Sequence, residues 1–385
     1  MKSKSILVIS YYFYPLNSIG AVRFTMLKKY WEHKGYDVTV ITCGHSGKSD
    51  LDNTFYIQDP KLNPLKKLAN KLKCKLGITV KQRPDWEELA FEYANNNLNL
   101  STFDFIIGTY PKVENLSLAY RLSKKCKAKL ILDFRDGFIF ESLNSTNNLQ
   151  KTCKKAFEAE LVSKASLVVT VSPPLTNYFM ETYKNVNAKT IFNGFDPEDM
   201  LPPVELKNKN KPKEILFSGQ LSKSRKGENI GLKVFVMKYD QLTEDQKSKY
   251  HIQFIGHFSK EELALIEPRF TVKGKVSRSE IKKEQAKADA FLLLVSSDIP
   301  SMITGKIFEY LACRKPILSF TNKAYLSTII ENTNSGINVL STDPRSLDDI
   351  FNSLFALELS KEDVIPFSYK NICEDYLVEL NSLGR

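Results

Sequence analysis

Short apolar runs alternate along this chain with longer stretches in which apolar residues recur every three or four positions. The runs at residues 6–10, 105–109 and 290–295 are of strand length and lack polar alternation. This is typical of strands that are buried on both faces of a parallel sheet. Stretches with helical spacing, such as residues 21–34 and 113–125, lie between such runs. Because strands and helices alternate, the pattern predicts the α/β class with doubly wound parallel sheets.

The alternation stops at residues 197–213, a polar and proline-bearing stretch without periodicity, and restarts with a strand-length run at residue 215. A chain of 385 residues is long enough for two ordinary domains. We therefore predict a Rossmann-like domain over residues 1–196, a linker over 197–213, a second Rossmann-like domain over 214–367 and a last helix over 368–385.

The composition is that of a globular protein, with 42% hydrophobic and 26% charged residues. The six cysteines are scattered and form no CxxC pair, so neither a zinc site nor a disulfide framework is indicated. Lys2 and Lys4 precede only a strand-length apolar run without a cleavage-site pattern, and no apolar run has the length of a bilayer span. We expect a cytoplasmic protein with reduced thiols.

Much of the net charge of +11 comes from one segment, which runs from Lys61 to Arg83 and has eight basic residues and no acidic one. Leucines recur in it with helical spacing, at Leu65, Leu68, Leu72 and Leu76. A basic amphipathic helix of this kind binds anionic membranes, which would place the protein peripherally on the inner face of the cell membrane. A surface helix whose leucines pack on the domain core gives the same pattern. Nucleic acid is not expected, because the segment has no interleaved aromatic residues.

A cation and a carboxylate fall at the start of a predicted helix in the second half of the chain. Helical spacing begins at Gly305, after the strand at 290–295 and a loop rich in small residues. Lys306 and Glu309 therefore lie near the carboxyl end of a parallel strand, where open α/β sheets bind ligands. The helix amides and Lys306 suit a phosphate, and Glu309 suits vicinal sugar hydroxyls, so together they suit a nucleotide diphosphate sugar. An exposed i,i+3 ion pair is the alternative.

A basic loop follows another predicted strand. Residues 219–227 are bounded by glycines and hold Lys223, Arg225 and Lys226. At the carboxyl end of a strand and the start of a helix, such a loop suits a diphosphate. A solvated surface loop is the alternative.

Charged residues also follow the strand at 130–132, namely Asp133, Arg135 and Asp136. Asp136 has the chemistry to orient or deprotonate an acceptor hydroxyl, and Arg135 to pair with it or with phosphate. A salt-bridged strand end explains the same residues. After the first strand, Ser18 and Gly20 form a small-residue turn that lacks the GxGxxG fingerprint, so a nicotinamide cofactor is not expected.

A series of motifs occurs in order along nearly the whole chain: YYFYPLNSIGAVRF, PDW, LDFRDGF, VVTVSPPLTNYF, IFNGFDPED, ILFSGQLSKSRKG and TGKIFEYLACRKPIL. In this order they make the chain resemble glycosyltransferase family 4, in particular bacterial enzymes that build capsular, exopolysaccharide or O-antigen chains. The resemblance implies the GT-B fold, in which two Rossmann-like domains face each other across a cleft and the final helix returns to the first domain. It also implies a retaining transferase that moves a sugar from a nucleotide diphosphate sugar to a hydroxyl. We expect a UDP-sugar donor and a growing cell-surface glycan or a lipid-linked acceptor.

The resemblance implies a set of donor-binding residues: Gly20, Gly219, Arg225, Lys226, Lys306 and Glu309. Glu309 would hold the ribose hydroxyls, and Arg225 and Lys226 the diphosphate. The loop around Gly20 would approach the donor from the first domain. Two positions depart from the family pattern, because Ser301 stands in place of a first glutamate and Gln220 in place of an arginine.

Arg23, Arg135 and Asp136 are expected on the acceptor side, and Asp136 and Lys306 as catalytic groups. Neither a metal nor another cofactor is expected, because the cations of the chain can stabilise a leaving diphosphate. Two other functions remain open. One is a sugar-nucleotide epimerase of the same fold, and the other is a non-catalytic sugar-nucleotide-binding partner, which Ser301 would explain.

Overall fold

The structure is a computed structural model that describes residues 4–16, 19–44, 51–140, 147–200, 211–221, 229–295, 303–322 and 324–384. Several residues singled out above lie outside these ranges, namely Ser18, Lys223, Arg225, Lys226, Ser301 and residues 201–210 of the predicted linker. Among the described residues, no helix combines the length and apolarity needed to cross a bilayer.

The chain forms two compact units. Unit 1 comprises Met1–Asn193 and Tyr369–Arg385, and unit 2 comprises Gly194–Ser368. The first residues of the predicted linker belong to unit 2, where Pro197–Asp199 form a 3-10 helix. The neighbouring backbone explains this, because the amide of Phe195 donates to the carbonyl of Phe367 at 3.0 Å.

Unit 1 is built on a seven-stranded parallel sheet in the order β3-β2-β1-β4-β5-β6-β7. Its strands are β1 (Ser5–Ile9), β2 (Asp37–Cys43), β3 (Thr54–Ile57), β4 (Phe105–Tyr110), β5 (Lys129–Phe134), β6 (Leu167–Thr170) and β7 (Ala188–Thr190). Its first six helices are α1 (Ile19–His33), α2 (Pro64–Lys75), α3 (Pro84–Asn97), α4 (Val113–Ser123), α5 (Asn148–Val162) and α6 (Pro173–Thr182).

Helices cover both faces of this sheet, which explains why β1 has no polar alternation. Ile6 and Val8 pack into one core with Trp31 of α1. Leu7 and Ile9, on the opposite face, pack into a second core that includes Trp86 of α3. The edge strand β3 was not predicted, because all four of its residues are only partly buried.

Unit 2 is built on a six-stranded parallel sheet in the order β10-β9-β8-β11-β12-β13. Its strands are β8 (Lys213–Gln220), β9 (Tyr250–His257), β10 (Thr271–Lys273), β11 (Ala290–Leu294), β12 (Ile317–Phe320) and β13 (Gly336–Val339). Its helices are α7 (Ile230–Asp240), α8 (Glu244–Lys247), α9 (Lys260–Ile266), α10 (Arg278–Lys287), α11 (Gly305–Cys313), α12 (Ala324–Asn332), α13 (Leu347–Phe355) and α14 (Lys361–Val364). The prediction of two parallel doubly wound sheets is confirmed.

The last helix, α15 (Tyr369–Ser382), belongs to unit 1. It packs along α1, where the ring of Tyr376 meets that of Trp31 edge to face at 5.2 Å between centroids. Tyr376 and Leu380 are fully buried there. Residues of β1 and of α15 therefore contribute to the same core.

Candidate functional site

Two glycines lie side by side at the carboxyl ends of the central strands of unit 2. Gly219 of β8 is in register with Gly256 of β9, and both have positive φ, +118° and +155°. A Cβ on Gly256 would come within 1.8 Å of the Gly219 carbonyl oxygen, and a Cβ on Gly219 within 2.4 Å of Cε of Lys306. A side chain at Gly256 would collide with backbone, and at Gly219 the positive φ favours glycine, whose missing Cβ leaves room for the side chain of Lys306.

Lys306 lies across the end of β8, although it belongs to α11. Its Nζ donates a hydrogen bond to the carbonyl of Gln220 at 2.8 Å and lies 4.3 Å from the ring centroid of Phe217. The ammonium group is thus fixed at the point where the chain continues into residues 222–228, which carry Arg225 and Lys226. The structure brings Gly219 and Lys306 together, as a diphosphate site requires.

Packing of α11 holds Lys306 in this place. Tyr310 is fully buried, and its hydroxyl accepts a hydrogen bond from the amide of Ser218 in β8 at 3.1 Å. The ring of Tyr310 stacks on that of Phe291 in β11, with 4.3 Å between centroids. Because α11 is anchored to β8 and β11, its amino end and partial positive charge are held at the carboxyl edge of the sheet.

Glu309 lies one turn after Lys306, and its side chain is exposed. The surrounding protein raises the pKa of this carboxyl by desolvation, against the opposing charges of Arg278 and Lys306. An accessible acceptor therefore stands near the cations at the start of α11. The position suits a ligand with vicinal hydroxyls.

Arg278 and Asp199 are neighbours of Glu309 that the sequence did not indicate. Arg278 is the first residue of α10, and its guanidinium lies 3.8 Å from the Asp199 carboxylate, which also pairs with Lys282. The charges of Arg278, Lys282 and Asp199 all act on the Glu309 carboxyl. No local pattern relates residues so far apart in the chain, so only the fold reveals this group.

In unit 1, Arg23 is buried and bonded within the fold. Its Nε and Nη2 donate to Oδ2 of Asp133 at 3.2 and 3.0 Å, and Nη1 donates to the carbonyl of Phe192 at 2.7 Å. The guanidinium ties α1 to the ends of β5 and β7. Asp133 therefore belongs to a salt-bridged strand end, the alternative that the sequence left open for this residue.

Arg135 joins the end of β4 to the start of α1. Its Nε donates to the carbonyl of Tyr110 at 2.9 Å, and Nη1 donates to the carbonyl of Gly20. Asp136 is the next residue and is partly exposed. Burial raises the pKa of Tyr110, and the charge of Asp136 adds to that rise. Gly20, Arg135 and Asp136 thus share the carboxyl edge of the sheet of unit 1.

Lys112 is a further charged residue at this edge that the sequence analysis missed. It precedes α4, and its Nζ lies 5.0 and 5.8 Å from the ring centroids of Tyr11 and Tyr12, which follow β1. The hydroxyl of the buried Tyr11 donates to Asp59. The tyrosines of the YYFYP motif were the available signal, because the face of an aromatic ring attracts a cation.

Comparison with known proteins adds to this geometry. Residues 212–356, which run from β8 through α13, match the family model described as Glycosyl transferases group 1. None of the curated proteins matches the chain by sequence.

Solved structures resemble the chain over its whole length. A glycosyltransferase from Rickettsia africae ESF-5 has a TM-score of 0.65 at 18% identity, covering 100% of this chain and 99% of that one. Sucrose-phosphate synthase from Thermosynechococcus elongatus has a TM-score of 0.67 at 15% identity, covering 99% of both chains. Anabaena HepE in complex with UDP-glucose has a TM-score of 0.62 at 14% identity, covering 98% of this chain and 99% of that one. These similarities confirm the GT-B fold class.

Proposed function

We propose that this protein is a glycosyltransferase that moves a sugar from a nucleoside diphosphate sugar to a hydroxyl group, with retention of anomeric configuration. The group 1 model matches the unit that holds Lys306 and Glu309. The proposed donor is a UDP-sugar, because the similar HepE structure holds UDP-glucose. Assignment to family 4 rests on the ordered motifs of the sequence.

The main support for this proposal is the position of Lys306, whose side chain lies next to Gly219. The ammonium group is held by the Gln220 carbonyl before any ligand arrives, so no reorganisation is needed when the diphosphate binds. Glu309, one turn further along α11, accepts hydrogen bonds from the ribose hydroxyls. Arg225 and Lys226, which follow Gln220 in sequence but lie outside the described residues, complete the diphosphate site.

The reaction breaks the bond between the anomeric carbon and the diphosphate oxygen and forms a bond from that carbon to the acceptor oxygen. Negative charge develops on the leaving diphosphate, where Lys306 and the amino end of α11 stabilise it. The acceptor attacks from the side of the leaving group, and its proton passes to the departing diphosphate oxygen. Lys306 and the amino end of α11 supply the positive charge that a metal ion would otherwise provide. The transfer is therefore independent of divalent cations.

The acceptor side is assigned to unit 1. Asp136 orients the acceptor hydroxyl, while Arg135 fixes the backbone at Gly20 and Arg23 holds Asp133 at the end of β5. A growing cell-surface glycan or a lipid-linked sugar is the acceptor class that the motifs favour.

The test is to incubate the protein with labelled UDP-, GDP- and dTDP-sugars, with and without membrane lipid extract, in the presence of EDTA. Label that enters the lipid or glycan fraction supports the transferase. A free sugar isomer formed without acceptor would instead identify an epimerase. Nucleotide-sugar binding by calorimetry without any product would identify a non-catalytic binding protein.

A further inference from the structure

The leucines of α2 face away from the protein. In a helix with about 100° of rotation per residue, Leu65, Leu68, Leu72 and Leu76 fall within an arc of about 80°. Their exposed fractions are 78%, 64%, 52% and 50%. None of the described residues of α2, Pro64–Lys75, is buried. The interpretation that these leucines pack on the domain core is therefore wrong.

The helix attaches to unit 1 through its polar side instead. Asn70 and Cys74 are its half-buried residues, and Sγ of Cys74 contacts the carbonyl of Lys81 at 3.3 Å. The Lys66 ammonium pairs with Asp85 of α3 at 2.8 Å, and the side chain of Asn63 caps the first turn at 2.7 Å from the Lys66 amide. These contacts fix the helix with its apolar side outward.

Two neighbouring residues extend the apolar surface. Ile78, just past α2, is 66% exposed, and Leu149, at the start of α5, is 60% exposed. The two segments meet, because Nδ2 of Asn147 donates to the carbonyl of Lys75 at 2.9 Å. We call the combined surface the leucine face, and it consists of Leu65, Leu68, Leu72, Leu76, Ile78 and Leu149.

Lysines border the leucine face on both sides. By the same helical rotation, Lys66 and Lys73 lie on one side of the stripe, and Lys71 and Lys75 on the other. The helix also carries Lys67 and has no acidic residue. A protein groove that covered the leucines would have to neutralise two separate rows of cations, whereas an anionic lipid surface offers negative charge on every side.

We propose that the leucine face inserts into the headgroup region of an anionic lipid bilayer, with the flanking lysines on lipid phosphates. The apolar row supplies burial, and the lysines supply attraction to the negative surface, which together give reversible binding in the plane of the interface. This inference stands without the proposed function. If both hold, unit 1 meets the membrane in which a lipid-linked acceptor resides.

The electrostatic part is tested by sedimentation with vesicles of phosphatidylcholine alone or mixed with phosphatidylglycerol. The wild-type protein should bind the mixed vesicles and not the neutral ones. Replacing Lys67, Lys71, Lys73 and Lys75 with glutamine should weaken binding at least about tenfold. The matched control replaces four exposed lysines of unit 1 that lie outside α2, namely Lys127, Lys164, Lys184 and Lys370, and should bind like wild type.

The apolar part is tested with the variant Leu65→Ser, Leu68→Ser, Leu72→Ser. Because these side chains are exposed, the variant should fold normally by circular dichroism and still lose vesicle binding. The variant Leu68→Trp should show a blue-shifted emission with anionic vesicles. The native Trp31 and Trp86 are fully buried and give a constant background. Val378→Trp, placed on the exposed surface of α15, should not respond.

Three outcomes would overturn the proposal. The first is equal binding of the lysine variant and its control. The second is equal binding of the serine variant and wild type. The third is a wild-type dimer in sedimentation velocity that the serine variant abolishes, without vesicle binding, which would make the leucine face a contact between two copies. Nucleotide-sugar binding, measured in parallel, should be unchanged in every variant, so a failure here leaves the proposed function intact.

Discussion

Lys306 donates a hydrogen bond from its Nζ to the backbone carbonyl of Gln220, 86 positions earlier in the chain. The bond joins the start of α11 to the end of β8 and sets the ammonium beside the ring of Phe217. Because the cation is already held by the protein, it can act on developing negative charge without first being ordered.

Lys306→Met should lower the transfer rate by about 100-fold or more, since one preorganised charge at a leaving group has an effect of that size. Methionine keeps the apolar stem that packs near Phe217, so the fold should survive. Initial rates with saturating donor and calorimetric affinity for the nucleotide measure the effect. Lys260→Met, at the exposed start of α9, is the control and should change neither. Wild-type rates for Lys306→Met would remove this residue from the site.

Gly219→Ala should weaken nucleotide binding while every charge is retained. The new Cβ would come within 2.4 Å of Cε of Lys306, at a backbone φ of +118° that alanine disfavours. We expect the ammonium to be displaced and the free energy of unfolding to fall by about 1–3 kcal/mol. Calorimetry of unfolding and of nucleotide binding measures both.

Gly274→Ala provides the comparison for stability. A Cβ there would have nothing within 4 Å, and Gly274 has no positive φ, so the free energy of unfolding should not fall in this variant. If Gly219→Ala bound nucleotide as tightly as wild type, the site would not depend on where the Lys306 side chain lies.

Glu309→Ala should reduce nucleotide affinity by about 1.5–3 kcal/mol, the usual range for hydrogen bonds to a charged group. Glu309→Gln should recover part of the loss, because its amide oxygen still accepts one hydrogen bond. Glu331→Ala removes another exposed carboxylate at the end of α12 and serves as the control. Titration calorimetry measures the nucleotide affinity of each variant. Equal affinities for Glu309→Ala and wild type would exclude the ribose contact.

The strands that carry the site could be predicted from the sequence because they are covered on both faces. β8 and β11 read as short apolar runs, and the helix that starts at Gly305 is amphipathic. The edge strand β3 escaped prediction because its half-buried residues leave no clear period. Burial on two faces leaves a pattern in the sequence, whereas the partial burial of β3 leaves none.

Contacts between distant residues could not be predicted. Arg23 and Asp133 form a buried pair 110 positions apart, and Arg278 acts on Glu309 from another helix. It could not be predicted either which way the leucines of α2 face, since their spacing is the same whether they face a core or a membrane. Periodicity defines the face of a helix but does not say what covers that face.

A buried carboxyl in unit 1 predicts a pH dependence of stability. Glu158 of α5 is 1% exposed, and its Oε1 accepts hydrogen bonds from the hydroxyls of Tyr178 and Tyr183, both at 2.7 Å. Burial raises the pKa of Glu158 to about 7, although both hydrogen bonds and the charge of Lys154 oppose the rise. The folded protein therefore holds a proton on this carboxyl at pH values where the unfolded chain has released it.

Since the folded pKa lies above the unfolded value of 4.5, the contribution of Glu158 to the free energy of unfolding should be highest below that value. This contribution should fall as the pH rises toward about 7, by at most about 3 kcal/mol. Glu158→Gln keeps an oxygen for the two tyrosines and removes the charge, so this part of the pH dependence should disappear and the variant should be the more stable protein at pH 8. Urea unfolding followed by tryptophan fluorescence is the suitable measurement, because Trp31 and Trp86 both lie in unit 1. Parallel pH profiles for the two proteins would show that Glu158 does not take up a proton in this range.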